Sequence, residues 1–282
     1  MPLLMGVVNL TPDSFSDGGV LNSLETALKH CQQLVSDGAN ILDIGGESTR
    51  PGAQRVAVDV EIERVIPLIS ALSSADWFLN SGTQISIDTM NSATALAAVS
   101  AGATFVNDVS GGKADPNMLA AVAGTEATFI LSHWRGFSSQ MDQLNQYNDV
   151  AQDVANEISA QVQLAVAAGI ERERIIVDPG LGFSKVGQQN WQLLAGLGKI
   201  ASIGLPILVG ASRKRFLASQ INPKYPAAVT NEMRDLATAA LSVKLAELGI
   251  WGLRVHNVAA NRNALLVSQA LQVAGNQIAS QS

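Results

Sequence analysis

The sequence predicts an α/β protein, a closed (β/α)8 barrel with eight parallel strands, and three observations predict it. Eight short apolar runs alternate with stretches of helical period along the whole chain. Such alternation implies parallel strands joined by right-handed crossovers. The length, 282 residues, lies near the ~250 typical of one barrel of this kind. Each run also leads into a polar or charged group, and in a barrel those ends meet on one face, where chemistry is placed. Eight units suit a closed ring better than an open sheet. No linker, low-complexity segment or composition break divides the chain, so residues 1–282 read as one domain.

In chain order, the apolar runs are residues 4–8, 40–44, 84–87, 104–109, 128–131, 175–177, 206–209 and 252–255. The first is followed by a Gly, Pro and Ser-rich loop, 9–19, and then by Asn22, which precedes the helically spaced Leu24, Leu28, Cys31 and Val35 before Gly38. A second such loop, 45–52, follows the second run; Asp59 then precedes Ile62, Val65, Ile66 and Ile69. Asn91 opens a short helix ending at Gly102. Residues 134–149, after the fifth run, form the longest polar connection and read as a mobile loop over the barrel mouth. A stripe of Val150, Val154, Ile158, Val162 and Val166 ends near Gly169. Thr230 precedes Met233, Leu236, Leu241, Leu245 and Leu248 before Gly249, and a last helix covers roughly 258–273.

Composition narrows the function. With 47% hydrophobic and 15% charged residues the chain can bury a large core, and a net charge of −6 without a basic run argues against a nucleic-acid surface. An anionic substrate must then be held by local cations. Cys31 is the only cysteine, which excludes a disulfide within the chain, and its helical setting predicts a small buried hydrophobe. Residues 1–8 lack a basic leader and read as a strand, not a signal peptide. No apolar run approaches the ~20 residues a bilayer requires, so the expected compartment is the cytoplasm.

The strand ends supply, in order, Asn9, Asp43 with Glu47, Asp88, Asn107 with Asp108, His133, Asp178, Ser212 with Arg213 and Lys214, and Arg254 with His256. The stretch from Ile175 to Lys185 is the most telling. Three β-branched residues run into a lone carboxylate, and Pro179 and Gly180 stop the strand, so Asp178 either caps the turn or serves a site. Asp43 and Asp108 lie near glycines and read first as acceptors for loop amides. Asp88, Asn107 and Asp178 form an acceptor set suited to a flat heterocycle rich in N–H donors, because a carboxylate accepts two parallel bonds from an amidine-like edge. Each such bond contributes roughly 1.5–3 kcal/mol. Lys214, Arg254, His256 and Arg50 form a cationic set which, beside Asn9, suits a phosphate or diphosphate with a divalent metal. Taken singly, Arg213 and Lys214 read as a solvated helix start and His256 as a satisfied barrel histidine; their clustering favours a site. Phe15 in its polar loop either packs on an apolar ligand or anchors the loop. Gly180-Leu-Gly182 lacks the third glycine of a dinucleotide fingerprint, and no P-loop, zinc motif or nucleophile elbow occurs.

Together the segments Asn-Leu-Thr-Pro-Asp-Ser-Phe-Ser-Asp-Gly-Gly from Asn9, Asp-Ile-Gly-Gly-Glu-Ser-Thr-Arg-Pro-Gly from Asp43, Ser-Ile-Asp-Thr, Val-Asn-Asp-Val, Asp-Pro-Gly-Leu-Gly-Phe, Gly-Ala-Ser-Arg-Lys and Arg-Val-His resemble the dihydropteroate synthases of the folate pathway. The closest form is the one with His-Trp-Arg after the fifth strand, and the resemblance runs in order over nearly the whole chain. It implies a TIM barrel that condenses 6-hydroxymethyl-7,8-dihydropterin diphosphate with p-aminobenzoate, releasing diphosphate by an SN1-like step. Position by position, it places the pterin ring on Asp88, Asn107, Asp178 and Lys214, lined by Phe183 and Gly210. The diphosphate falls to Asn9, Arg50, Arg254 and His256, with Mg2+ on Asn9. The p-aminobenzoate pocket falls to Phe15, Thr49, Pro51, Phe183 and Lys214. Lys214, Arg254 and Asp178 are the implied catalytic set, sulfonamides the implied inhibitors, and a homodimer through the last helices the implied assembly. The start of the chain close to the first strand implies that the N-terminal hairpin of longer relatives is absent.

Three positions depart from the family pattern: Asn257 for a frequent Asp, Ser132 for a frequent Met, and Arg215 where Ser is common. The first two are expected to alter packing or charge slightly; Arg215 either touches the p-aminobenzoate carboxylate or lies on the surface. A pterin-binding methyltransferase would share the acceptor set but need neither the diphosphate cations nor the two loops. A non-catalytic paralogue would be expected to have lost loop residues, and none is missing.

Overall fold

The computed structural model describes residues 1–10, 20–47, 55–137 and 143–279. Eight strands appear where the apolar runs lie: β1 Leu3–Asn9, β2 Ile41–Gly45, β3 Gln84–Asp88, β4 Phe105–Asp108, β5 Thr128–Ser132, β6 Ile175–Asp178, β7 Leu208–Val209 and β8 Gly252–Val255. All neighbours pair parallel in the order β6-β5-β4-β3-β2-β1-β8-β7, and a bridge between Val177 and Ile207 brings the two ends together into a ring. β7 is shorter than the run that predicts it. Its expected first residue, Pro206, has no amide to donate and contributes only its carbonyl, which accepts from the Val177 amide at 2.9 Å.

Around the ring lie α1 Val20–Ser36, α2 Val58–Ser73, α3 Asp76–Leu79, α4 Ser92–Ser100, α5 Met118–Ala123, α6 Val150–Ala167, α7 Gly187–Ala195, α8 Leu197–Ala201, α9 Arg215–Ile221, α10 Asn231–Glu247 and α11 Val258–Ala279. Two of the long helices, α6 and α10, begin at a residue that caps them, whereas Asn22 and Asp59, expected to stand before α1 and α2, lie inside those helices, and α2 starts after Ala57 without a side-chain cap. Asp149 accepts from the amides of Ala151 and Gln152, and Thr230 from that of Met233. Asn91, expected to cap α4, is diverted: its side chain donates to Glu61 at 2.7 Å and accepts from Arg55 at 2.8 Å. Five short helices, α3, α5, α7, α8 and α9, were not expected from the sequence; each spans nine residues or fewer, too few turns for the spacing of its apolar residues to stand out.

Strand alternation sorts the side chains into two populations. Leu4, Val8, Leu42, Ile44, Ile87, Val106, Phe129, Leu131, Val177, Val209 and Leu253 pack outward against the helices, where Cys31 is also buried. Met5, Ile41, Phe105, Ile130, Ile176 and Leu208 fill the barrel interior, with Leu3 and Trp251 against them. Two residues further along, the same inward face carries Asp43, Asn107, Ser132, Asp178 and Gly210 on or just past five of these strands and Val7 on β1, so an apolar floor supports a largely polar storey at the carboxyl ends. No helix of the described residues is long and apolar enough to cross a membrane.

Candidate active site

The polar storey begins with Asp88 and Asn107, register partners across β3 and β4, and with Asp178, which faces Ser132 across β5 and β6. All three are buried. Arg254, from β8, reaches across the ring: its Nε donates to Asp43 at 2.5 Å and its Nη2 to Asp88 at 2.6 Å. Burial works against the guanidinium charge, but the two carboxylates outweigh it and hold Arg254 more firmly protonated than usual. Burial pushes Asp88 up to about 7; Arg254 opposes the shift, and Asp43, Glu61 and Asp108 add to it.

Of the two readings open to Asp178, the turn cap is observed directly, and the residue also stands among the buried strand-end groups. It caps its turn by accepting from the Gly180 amide at 2.7 Å, and it is the buried carboxylate nearest in effect to Lys214. Burial raises its pKa, opposed chiefly by Lys214. Burial in turn lowers Lys214 to about 8, with Asp178 opposing and Arg254 assisting. Gly210 lies between these groups: a Cβ there would stand 3.7 Å from both the Arg254 Cβ and an Asp178 carboxylate oxygen.

Lys214 is not a solvated helix start. It precedes α9, and its Nζ donates to the Leu181 carbonyl and lies 4.8 Å from the centre of the Phe183 ring. Arg213, partly exposed, is nevertheless paired: it holds Asp235 of α10 through two bonds, at 2.8 and 2.7 Å. Arg213 has φ +60, a left-handed conformation disfavoured for a side chain of its size, and the ion pair stabilises it there. The turn that delivers Lys214 to the rim is therefore anchored from α10.

Asp43 requires a correction. It does not serve loop amides but is fully buried in the barrel, accepting from Ser86 Oγ at 2.6 Å, Asn107 Nδ2 at 3.1 Å and Arg254 Nε. Asp108 does serve its loop, accepting from the amide and hydroxyl of Ser110 and the amide of Gly112. His256 closes β8 with its Nδ1 3.0 Å from the Ser212 hydroxyl, and Asn9 ends β1 half-buried beside Gly45.

A second network underlies the turn after β6. The Lys185 ammonium, buried, donates to His133 Nδ1 at 2.9 Å and to the carbonyls of Gly180 and Phe183 at 3.0 Å each. His133 Nε2 lies 3.0 Å from Glu157 of α6, which also receives Arg135. Burial, then Lys185, depresses His133 to about 3, so its neutral ring accepts at Nδ1 and donates at Nε2. Burial alone would raise Glu157, but its bonds from His133 and Arg135 hold it well below the usual range. Arg135 also donates to the carbonyls of Leu144 and Gln146, which ties down both described arms of the connection expected to be mobile.

Asp88, Asn107, Asp178, Gly210, Lys214 and Arg254 thus converge, with Phe183 against Lys214. The family model of pterin binding enzymes matches residues 5–256. The dihydropteroate synthase of Mycobacterium leprae is 44% identical over 98% of this chain and 95% of its own. The chain belongs to the dihydropteroate synthase family.

Solved members of that family superpose closely. A Xanthomonas albilineans dihydropteroate synthase with 4-aminobenzoic acid gives a TM-score of 0.85 at 40% identity, covering 96% of this chain and 93% of that one. The same organism's enzyme in complex with 7,8-dihydropteroate gives 0.82 at 37%, covering 96% and 94%. Of the residues the family pattern assigns, Phe15, Thr49, Arg50 and Pro51 lie outside the described residues. Asn257 departs from the pattern without local loss, because its side chain accepts from the Ala260 amide at 2.9 Å and starts α11 as an Asp would. Ser132 is buried opposite Asp178, and Arg215 is exposed at the first residue of α9.

Proposed function

We propose that this transferase of the dihydropteroate synthase family condenses 6-hydroxymethyl-7,8-dihydropterin diphosphate with p-aminobenzoate to give 7,8-dihydropteroate and diphosphate. The observation that carries the reading is the gathering of three buried acceptors, Asp88, Asn107 and Asp178, beside Lys214 and Arg254 on one rim. The acceptors match a flat ring with several N–H donors, and the cations match the charge that leaves it.

In the reaction the bond between the pterin methylene carbon and the diphosphate oxygen breaks, and its electron pair departs with the diphosphate. The amine nitrogen of p-aminobenzoate bonds to that carbon and afterwards loses a proton. Asp88 and Asp178 stabilise positive charge spreading over the ring, while Lys214 and Arg254 stabilise the departing anion. No side chain serves as nucleophile. The order of events is SN1-like: enzyme given the pterin diphosphate without amine should release diphosphate slowly, and strict dependence on the amine in a single turnover would refute that order.

Among the described residues no group of three or more His, Cys, Asp or Glu is arranged to hold a metal. A hard oxygen such as the Asn9 side-chain carbonyl fits Mg2+, which prefers few protein ligands and completes its shell with phosphate oxygens and water. Bound there, Mg2+ would supply charge compensation to the leaving diphosphate. The exposed apolar residues Leu236, Leu248, Leu266, Val267 and Leu271, on or beside α10 and α11, support a homodimer through that face. Leu271→Glu should give monomers in sedimentation. We place the protein in the cytoplasm.

The deciding experiment mixes both substrates with Mg2+ and follows dihydropteroate, then repeats with Asp178→Asn and Lys214→Ala. Each variant should lose about 10- to 100-fold in kcat/KM, the worth of one charge-assisted hydrogen bond. Unchanged turnover in both would reject the assignment. Sulfonamides should compete with p-aminobenzoate.

A further inference from the structure

We propose that Asp43, in the barrel interior, is a positioning residue for this reaction: it aims the Arg254 guanidinium and fixes which edge of the Asn107 amide meets the ligand. The inference rests on the pterin reading above, and three features carry it. Asp43 is fully buried, and its partners among the described residues belong to other strands: Ser86 on β3, Asn107 on β4 and Arg254 on β8. Asp108, the other fully buried strand-end aspartate, spends its oxygens on its own loop. Asp43 therefore joins the residues of the site to one another, and Asp108 does not.

The consequence for Arg254 is directional. A guanidinium on a flexible stem can take many orientations, but bonds from Nε to Asp43 and from Nη2 to Asp88 fix its plane against two adjacent strands. The remaining N–H groups are left for an anion in a set geometry. The consequence for Asn107 is chemical. With its Nδ2 donating to Asp43, the amide cannot turn over without setting Oδ1 against a carboxylate. Asn107 is thereby held to one order, with Oδ1 as the acceptor and a single amide hydrogen left to donate.

Two readouts test this. Asp43→Asn keeps the shape but replaces one acceptor oxygen with a donor, and kcat/KM for the pterin diphosphate should fall about 10- to 100-fold. Because Asp43 acts largely through Arg254, the double variant Asp43→Asn/Arg254→Met should lose far less than the product of the single losses. Losses that multiply, or an unchanged single variant, overturn the proposal. The second readout needs neither turnover nor a folded variant: the Arg254 Nε–H resonance of the wild-type protein should be shifted downfield and exchange slowly with solvent. An Nε–H that exchanges as fast as those of exposed arginines overturns the inference even if the wild type makes dihydropteroate. A protected Nε–H in a protein that makes none supports the positioning and sinks the reading of function alone.

Discussion

Lys185→Met separates the local work of the second network from global stability. The native ammonium satisfies three acceptors, His133 Nδ1 and the carbonyls of Gly180 and Phe183, in a buried setting. Each orphaned acceptor costs about 1–3 kcal/mol. Removing a buried ammonium returns several kcal/mol of desolvation, and burial already depresses the Lys185 pKa well below that of a free lysine. The two effects largely cancel, so the net loss should be about 1–2 kcal/mol and Tm should fall by only a few degrees. The turn itself has nothing to replace the lost bonds. Gly180, Gly182 and Ser184 all have positive φ, at 66°, 76° and 49°, and the steric cost at Ser184 is offset by the lysine, which holds the carbonyls of Gly180 and Phe183 before it. Hydrogen exchange of the Gly182 and Phe183 amides, which bond to Asn190 and to the Gly180 carbonyl, should accelerate at least about 10-fold. The KM for p-aminobenzoate should rise by about the same factor, because Phe183 loses its fixed place. Native exchange rates across the turn together with a native KM would refute the reasoning.

Three further outcomes follow from the same geometry. In the proposed reaction Asp88, raised to about 7, has to be ionised to accept from a ring N–H, and Lys214, lowered to about 8, has to be protonated to hold negative charge. Activity should thus rise as pH climbs through about 7 and fall beyond about 8, and Lys214→Arg should remove the alkaline limb from a kcat/KM profile. Cys31, pushed up to about 12 by burial, binds its proton more tightly folded than unfolded. Its stabilising contribution is whole below the thiol's ordinary pKa and is lost as pH rises toward 12. At pH 8 its labelling by a thiol reagent should track global unfolding; rapid labelling of native protein would contradict its burial. Asp235→Ala leaves Arg213 unpaired at φ +60, which should cost about 1–2 kcal/mol in denaturant melts, after allowance for the partial exposure of Arg213. It should also lower kcat through displacement of Lys214.

The ring of eight strands was legible because each apolar run is short, bounded and followed by a polar residue, and the long helices because of their apolar stripes, although of the expected starts only Thr230 proved a side-chain cap, Asn22 and Asp59 lying inside α1 and α2. The acceptor trio was legible because polar groups at the ends of β3, β4 and β6 are presented at the rim, whereas Lys214, five residues past the end of β7, was legible only through its clustering with other cations. Asp43 was misread, although its signal was present, since Ile41, Asp43 and Gly45 alternate onto one face and that face is the barrel interior. Glu157 left no such signal. It is one of several polar residues on α6, and its partners His133 and Arg135 lie 24 and 22 positions away, so only the packing of α6 against β5 brings them together. Arg213 looked like a solvated helix start because its partner, Asp235, belongs to a different helix.

The apolar floor of Met5, Ile41, Phe105, Ile130, Ile176 and Leu208 has a consequence for how such a protein can be altered. Substitutions in that lower tier are judged by volume alone and those a single pleat above by charge balance, so the two tiers answer to separate demands. A library that shuffles aliphatic side chains below should preserve catalysis wherever it preserves folding. The tier above can then be rewritten for another ring without rebuilding the vessel that holds it.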